Sequence, residues 1–263
     1  MNKVPQKRSA ILIPARLDGV RLPRKVLLQF NGIPMIEHVR RRAVLNQESI
    51  EVFVVSGDQE IINVVKSMGG KAIQTFEEHE NGTSRCEEAA RSLEYDHFLI
   101  VQGDEILVLP RHIDAIVKYL QSNPETAFIN AVARLSNTKD FEDFSIVKCA
   151  LSNKGNILFM FRRPPISELS ITQIPHFYKV LGLFAVGKSL LHELPKLQAS
   201  PIEKFESIEQ MRLIENSIEV RSLTQDCSYP SVNIKEDIDK VLYVLKDVEE
   251  QKQLLALISK NAH

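Results

Sequence analysis

The apolar positions of this chain follow two rhythms. In the first half, short apolar runs at 9–14, 50–56, 71–75 and 97–102 alternate with stretches of helical spacing. The runs at 9–14, 50–56 and 97–102 are dense in Ile, Leu and Val, as strands covered on both faces are. Met35–Leu45 places apolar residues at 35, 36, 39, 43 and 44, which predicts a helix with Arg40, Arg41 and Arg42 turned outward. Asp58 reads as the cap of a second helix carrying Ile61, Ile62, Val64 and Val65 and closed by Gly69-Gly70. Thr83 or Ser84 reads as the cap of a third, running from Arg85 to Leu93, and a fourth follows Pro110, from His112 to Leu120. Strands alternating with helices predict an α/β, doubly wound mixed, mainly parallel sheet.

After Pro124 the rhythm becomes β-like, with runs at 127–134, 145–151, 155–161 and 178–186. Asn153-Lys154-Gly155 is a hairpin signal between two of them. A long proline-containing loop is expected between Arg162 and Pro175. Helices are expected at Ser189–Leu194 and Ile202–Ile214, a last strand at 218–223, and a terminal helix with apolar residues at 238, 241, 242, 245 and 248. The pattern is read as a single domain, 1–263, with a smaller β-rich lobe at 127–186.

Two loops carry the candidate chemistry. Arg16, Arg21, Arg24 and Lys25 follow the first strand within ten residues, stiffened by Pro14 and Pro23. In open α/β sheets ligands bind outside the carboxyl ends of the strands, where backbone N–H groups and cations can face a polyphosphate. Phe98–Gln102 then runs into Gly103-Asp104-Glu105. Carboxylates at a strand end suit a hydrated Mg²⁺ that bridges to phosphates, because Mg²⁺ sites draw one or two carboxylates from the protein. An acid pair preceding the 111–120 helix, placed for its N-terminal dipole, is the simpler account. Neither loop is a Walker A or a G-x-G-x-x-G, which disfavours an ordinary kinase or dehydrogenase.

Composition narrows the class further. A formal net charge of −1 with 44% hydrophobic residues argues against a general nucleic-acid surface. The apolar runs fall short of the ~20 residues a membrane span needs. Met1–Ser9 is polar and basic, unlike a secretory signal. Cys86, Cys149 and Cys227 are isolated, which fits reduced thiols and a cytoplasmic setting and excludes a Cys-pair zinc site.

Five segments then converge on one family. I-P-A-R at 13–16, R-L-P-x-K at 21–25, G-x-P-M-I at 32–36, N-G-T-S-R at 81–85 and V-Q-G-D-E at 101–105 resemble the 3-deoxy-manno-octulosonate (Kdo) cytidylyltransferases. The likeness continues through L-G-L-F-A at 181–185, S-P-I-E-K-F-E-S-I-E-Q-M-R at 200–212 and E-D-I at 236–238, covering nearly the whole chain in order. The resemblance implies a nucleotide-diphospho-sugar transferase-like fold that joins CMP from CTP to an acidic 3-deoxy-2-keto sugar, releasing pyrophosphate. It implies that Ala15, Arg16, Arg21 and Lys25 hold the triphosphate, that Gly82, Thr83, Ser84 and Arg85 belong to the nucleotide pocket, and that Gln102 lies where nucleotide meets sugar. Asp104 matches the Mg²⁺-binding aspartate, and the resemblance implies that Asp104, Lys25 and Arg16 carry the catalysis. Arg162 matches the arginine for the sugar carboxylate, with Arg163 competing for the alignment, and Glu209 and Gln210 match contacts to sugar hydroxyls. A homodimer is also implied; the proline-containing 162–175 loop and the β-rich 127–186 region are the candidates for its contact, and no nucleic-acid or membrane partner is expected.

Four positions depart from the family pattern. The second metal aspartate falls on Asn233, a histidine before L-G on Val180, a proline after Gly-Asp-Glu on Ile106, and a glycine before the loop lysine on Arg24. The departures predict a retained nucleotide pocket beside a diverged acceptor pocket, with Asn233 either a weakened metal ligand or a helix cap. Two other readings share these loops: a nucleotide-binding regulatory homologue without turnover, and a glycosyltransferase using a finished nucleotide sugar.

Overall fold

The computed structural model describes residues 7–19, 21–135, 137–164 and 173–260. It divides into two compact units, residues 1–124 with 229–263, and residues 125–228.

The first unit is built on parallel strands. They are β1 (Ser9–Pro14), β4 (Glu51–Ser56), β5 (Lys71–Gln74) and β6 (His97–Val101), in the order β6-β1-β4-β5. Ile11 faces both Val52 and Leu99 in register, and Val54 faces Ala72. Ala10–Ile13 and Phe98–Val101 are wholly buried, so both faces of the central strands are covered, as their continuous apolar runs require. A small antiparallel pair, β2 (Gln29–Phe30) and β3 (Ile33–Pro34), lies apart from this sheet. The connecting helices are α1 (Met35–Val44), α2 (Gln59–Ser67), α3 (Gly82–Ala90) and α4 (Pro110–Ser122).

The second unit is mixed. Its strands are β7 (Phe128–Arg134), β8 (Lys148–Leu151), β9 (Ile157–Phe161), β10 (Phe177–Gly187) and β11 (Arg221–Gln225). β10 runs antiparallel to β7 and β8, β8 antiparallel to β9, and β11 parallel to β7. The β8–β9 turn carries Gly155 at φ +79, a backbone region that glycine enters without steric penalty. β10 is irregular between Val180 and Phe184, and the buried Asn130 amide donates to the Leu181 carbonyl there, 3.0 Å away. Leu135, Phe141, Phe161 and Ile174 form a core cluster in this unit. Its helices are α5 (Thr138–Glu142), α6 (Lys188–Glu193), α7 (Pro201–Glu206) and α8 (Met211–Glu215). The chain ends in α9 (Asp237–Asp247) and α10 (Glu249–Lys260), which belong to the first unit. Among the described residues no helix is long and apolar enough to cross a membrane.

Several local expectations need correction. Arg40, Arg41 and Arg42 do not face outward; they are 8%, 6% and 0% exposed. The buried Glu37 carboxylate accepts from Arg40 at 2.6 and 2.7 Å and from Arg41 at 2.9 Å. Arg42 donates to the Gln251 side chain and Arg41 to the Ile258 carbonyl, so α10 covers the face that sequence alone leaves wet. The third helix starts at Asn81, whose side chain accepts from Ser84 N, and neither Thr83 nor Ser84 is its cap. The single helix expected over 202–214 breaks at Ser207, which adopts φ 53. The terminal helix likewise divides at Val248, which is extended. Most of the loop expected between 162 and 175 lies outside the described residues.

Candidate active site

In the first unit β1, β4, β5 and β6 are parallel, so the loops after Pro14, Ser56, Gln74 and Val101 all leave from one edge. The basic loop is fastened at its base. Ala15 is buried and donates to Val55 O at 2.9 Å. Arg24 N donates to Leu17 O at 2.7 Å, which closes the neck of the loop. Arg16 is half-exposed and pairs at 3.5 Å with Asp18.

At the far end of the loop, Lys25 Nζ donates to Asp104 Oδ2 at 2.7 Å and to Val232 O at 3.0 Å. Arg21 Nη2 donates to Asn233 Oδ1 at 3.2 Å. The structure therefore brings Arg21, Lys25, Asp104 and Asn233 together from three separate stretches of chain. Asp104 lies on a turn well before α4, closed by Glu105 N donating to Gln102 O, and so is no first-turn helix acid. Asn233 is not a helix cap. Its amide donates to Ser231 Oγ, while Asp237 at the start of α9 accepts from Asn233 N and Ile234 N. Burial alone would raise the Asp237 pKa, but those bonds and Lys240 hold it below the usual carboxylate range.

The third loop enters α3. Gly103 and Gly82 both crowd the end of β1: a Cβ on Gly103 would lie 2.7 Å from Pro14 O, and one on Gly82 2.9 Å from the Pro14 ring. The same Gly82 position is 3.6 Å from Gln102 Oε1, so Gln102 faces the start of α3. Thr83 is buried in the first turn, Ser84 is tied to Asn81, and Arg85 Nη1 donates to Thr75 Oγ1 at 2.7 Å. A Cβ on Gly57 would meet that guanidinium at 2.9 Å, so Gly57 leaves room for Arg85.

The acceptor candidates lie in the second unit. Arg162 is committed to its own backbone surroundings, with Nε donating to Glu206 O at 2.9 Å and Nη1 to Phe144 O and Ser145 O at 3.1 Å. Arg163 is exposed and stands over the Phe144 ring at 5.4 Å. Glu209 and Gln210 are half-buried on the turn between α7 and α8, next to the Glu206-Ser207 segment that Arg162 holds.

Sequence reasoning did not find Asp58, Glu60 or the Val232 carbonyl. Asp58 stands at the N-cap position of α2 as expected, but its side chain makes no capping bond and its Oδ2 accepts from Leu17 N at 3.0 Å. Glu60 Oε1 accepts from Arg24 at 2.5 Å. These partners are far away in sequence, and no spacing rule signals them.

A parallel sheet whose strand ends gather a cation-rich loop, an acidic turn and a helix N-terminus defines a nucleotidyltransferase-type site. A family profile described as "Cytidylyltransferase" matches residues 10–238. The 3-deoxy-manno-octulosonate cytidylyltransferase of Chlorobium limicola is 36% identical over 240 residues, which is 90% of this chain and 97% of the relative. The Escherichia coli enzyme of that name is 32% identical over 234 residues, covering 89% and 94%. A CMP:2-keto-3-deoxy-manno-octonic acid synthetase solved in complex with CTP superposes at a TM-score of 0.83 with 30% identity, over 90% of this chain and 98% of that one. An inositol-1-phosphate CTP transferase from T. maritima shares the fold at 15% identity and a TM-score of 0.64. The chain is an enzyme of the 3-deoxy-manno-octulosonate cytidylyltransferase family.

Proposed function

We propose that this protein transfers the cytidylyl group of CTP to 3-deoxy-manno-octulosonate or a closely related ulosonic acid, releasing pyrophosphate. The observation that carries the reading is the Lys25–Asp104 contact at the strand ends, which joins the basic loop to the acidic turn. The CTP complex of the structural neighbour and the names of the relatives support the same choice of nucleotide and acceptor.

In this reading Arg16, Arg21 and Lys25 bind the triphosphate, with the Ala15 segment as their support. Gly82, Thr83, Ser84 and Arg85 receive the nucleoside end at the start of α3, and Gln102 stands beside it. Glu209 and Gln210 are assigned to the acid's hydroxyls, and Arg162 or the adjacent Arg163 to its carboxylate; Arg163 is the exposed one of the two, since the Arg162 guanidinium donates to backbone carbonyls. The acceptor hydroxyl attacks the α-phosphorus, its proton passes to solvent water, and the bond to the β-phosphate breaks with pyrophosphate departing. No covalent enzyme intermediate is required, so the protein's task is positioning and charge stabilisation.

The site fits a hard divalent cation. The Lys25 ammonium already rests on two oxygens, the Asp104 carboxylate and the Val232 carbonyl, and oxygen donors of this kind suit Mg²⁺. Asp104 would hold the ion, with Asn233 offering a neutral oxygen where relatives would place a carboxylate. When bound, Mg²⁺ supplies neutralisation of developing phosphate charge.

The Cys and charge pattern supports a cytoplasmic enzyme, and the family supports a homodimer. The exposed Phe144 and Leu158 of the second unit are the candidates for its contact. The test is pyrophosphate release with CTP, Mg²⁺ and a panel of ulosonic acids. Release that depends on one such acid is expected, and no release with any of them would overturn the reading.

A further inference from the structure

We infer that Asp58 is a positioning residue for the triphosphate loop, an inference that rests on the nucleotide reading above. Asp58 occupies the position before the first turn of α2, where an aspartate ordinarily accepts a backbone N–H of its own helix. Among the described residues it makes no such bond. Its Oδ2 instead accepts from Leu17 N, 41 residues away, at 3.0 Å. Asp58 N donates to Ser56 Oγ at 3.1 Å, which ties the carboxylate's backbone to the end of β4.

Leu17 is the acceptor of the neck bond from Arg24 N, so Asp58 grips the loop where it closes. Arg24 sits at φ 58, ψ 17, a left-handed conformation that disfavours a residue with a side chain. Its guanidinium reaches Glu60 in the first turn of the same helix. Both sides of the neck are thus held by the first residues of α2. Between them the loop presents Arg16 just before the neck and Lys25 just after it. Without the Asp58 bond, the described residues of the neck keep the Arg24–Leu17 backbone bond and the exposed Arg24–Glu60 ion pair, and exposed pairs hold geometry weakly.

A loop loosened in this way must be ordered when a triphosphate binds, and that cost falls on CTP alone. The test measures CTP affinity by calorimetry, steady-state constants for both substrates, and melting temperature, in the parent and in Asp58→Ala and Asp58→Asn. Losing a bond to a charged acceptor should raise the CTP Kd and KM in Asp58→Ala at least about tenfold. Turnover at saturating CTP and the acceptor KM should stay within about threefold of the parent, a split expected when only one substrate's binding is affected. Asp58→Asn keeps an oxygen for the Leu17 N–H and should bind CTP within about threefold of the parent. If Asp58→Ala does not fold, Asp58→Ser takes its place, because its hydroxyl can cap α2 yet is too short to reach Leu17.

A lowered melting temperature with CTP affinity within twofold of the parent would reduce Asp58 to a structural role and overturn the inference. An Asn variant as weak as the Ala variant would overturn the hydrogen-bond account. A parent that binds no CTP would instead remove the nucleotide reading itself.

Discussion

Lys25→Met separates the functional weight of one cation from its structural weight. Lys25 and Asp104 side chains are 19% and 23% exposed, so the pair is partly dry and its hydrogen bond charge-assisted. Removing the ammonium leaves Asp104 with water within reach, so the stability loss should be held to about 1 kcal/mol, or roughly 2–4 °C in a chain of this size. The loss toward a triphosphate is of another order. A hydrogen bond to a charged group contributes about 1.5–3 kcal/mol, which corresponds to roughly a 10- to 150-fold weaker CTP Kd. Calorimetric titration with CTP and Mg²⁺, paired with a melting curve, reads both quantities in one preparation. CTP affinity within twofold of the parent would refute the placement of Lys25 against the triphosphate. A melting temperature lowered by 15 °C or more would show that the pair mainly supports the fold, against the ~1 kcal/mol argued above.

Asn233→Asp adds a carboxylate beside the oxygens that hold Lys25, and should lower the Mg²⁺ concentration giving half-maximal rate; an unchanged Mg²⁺ dependence would remove residue 233 from the metal site. Glu37→Gln withdraws the buried carboxylate shared by Arg40 and Arg41 and should cost about 3–5 kcal/mol in urea unfolding. Burial lowers the pKa of His38 to about 4, with Arg42 and Arg41 adding to the shift against the Phe30 carbonyl bond. The unfolded ring, near pH 6.5, binds its proton first, so stability is intact above that pH and falls as pH drops toward 4. The loss should be about 2 kcal/mol by pH 5, and His38→Gln should flatten that slope in urea midpoints measured between pH 7 and 5.

The sheet was legible because β1, β4 and β6 are continuous apolar runs, and burial on both faces demands that pattern. The two loops were legible because their charged residues are local clusters at strand ends. What escaped was long-range. Three consecutive arginines on α1 read as solvent-facing until α10 and Glu37 supply their partners, more than 200 residues away for Arg41 and Arg42. Asp58 matched a local capping rule and lost that role to Leu17 across the sheet edge. Ser207 broke a predicted helix without the glycine or proline that usually signals a break, because the turn is held from outside. There the Arg162 side chain donates to the carbonyls of Glu206 and Ser207. The sequence admits Asn233 as metal ligand or cap, and its contact with Arg21 is a third arrangement that neither rule contains.

If Lys25 and Asp104 mark the site where CTP gives up its cytidylyl group to a sugar acid, pyrophosphate release from CTP depends on both the acid and Asp104. Release with Mg²⁺ and 3-deoxy-manno-octulosonate, measured for the parent and for Asp104→Asn, tests this most directly. Release should require the sugar acid and fall at least ~100-fold in Asp104→Asn while its melting temperature is kept. A folded Asp104→Asn protein that releases pyrophosphate at the parent's rate would contradict it.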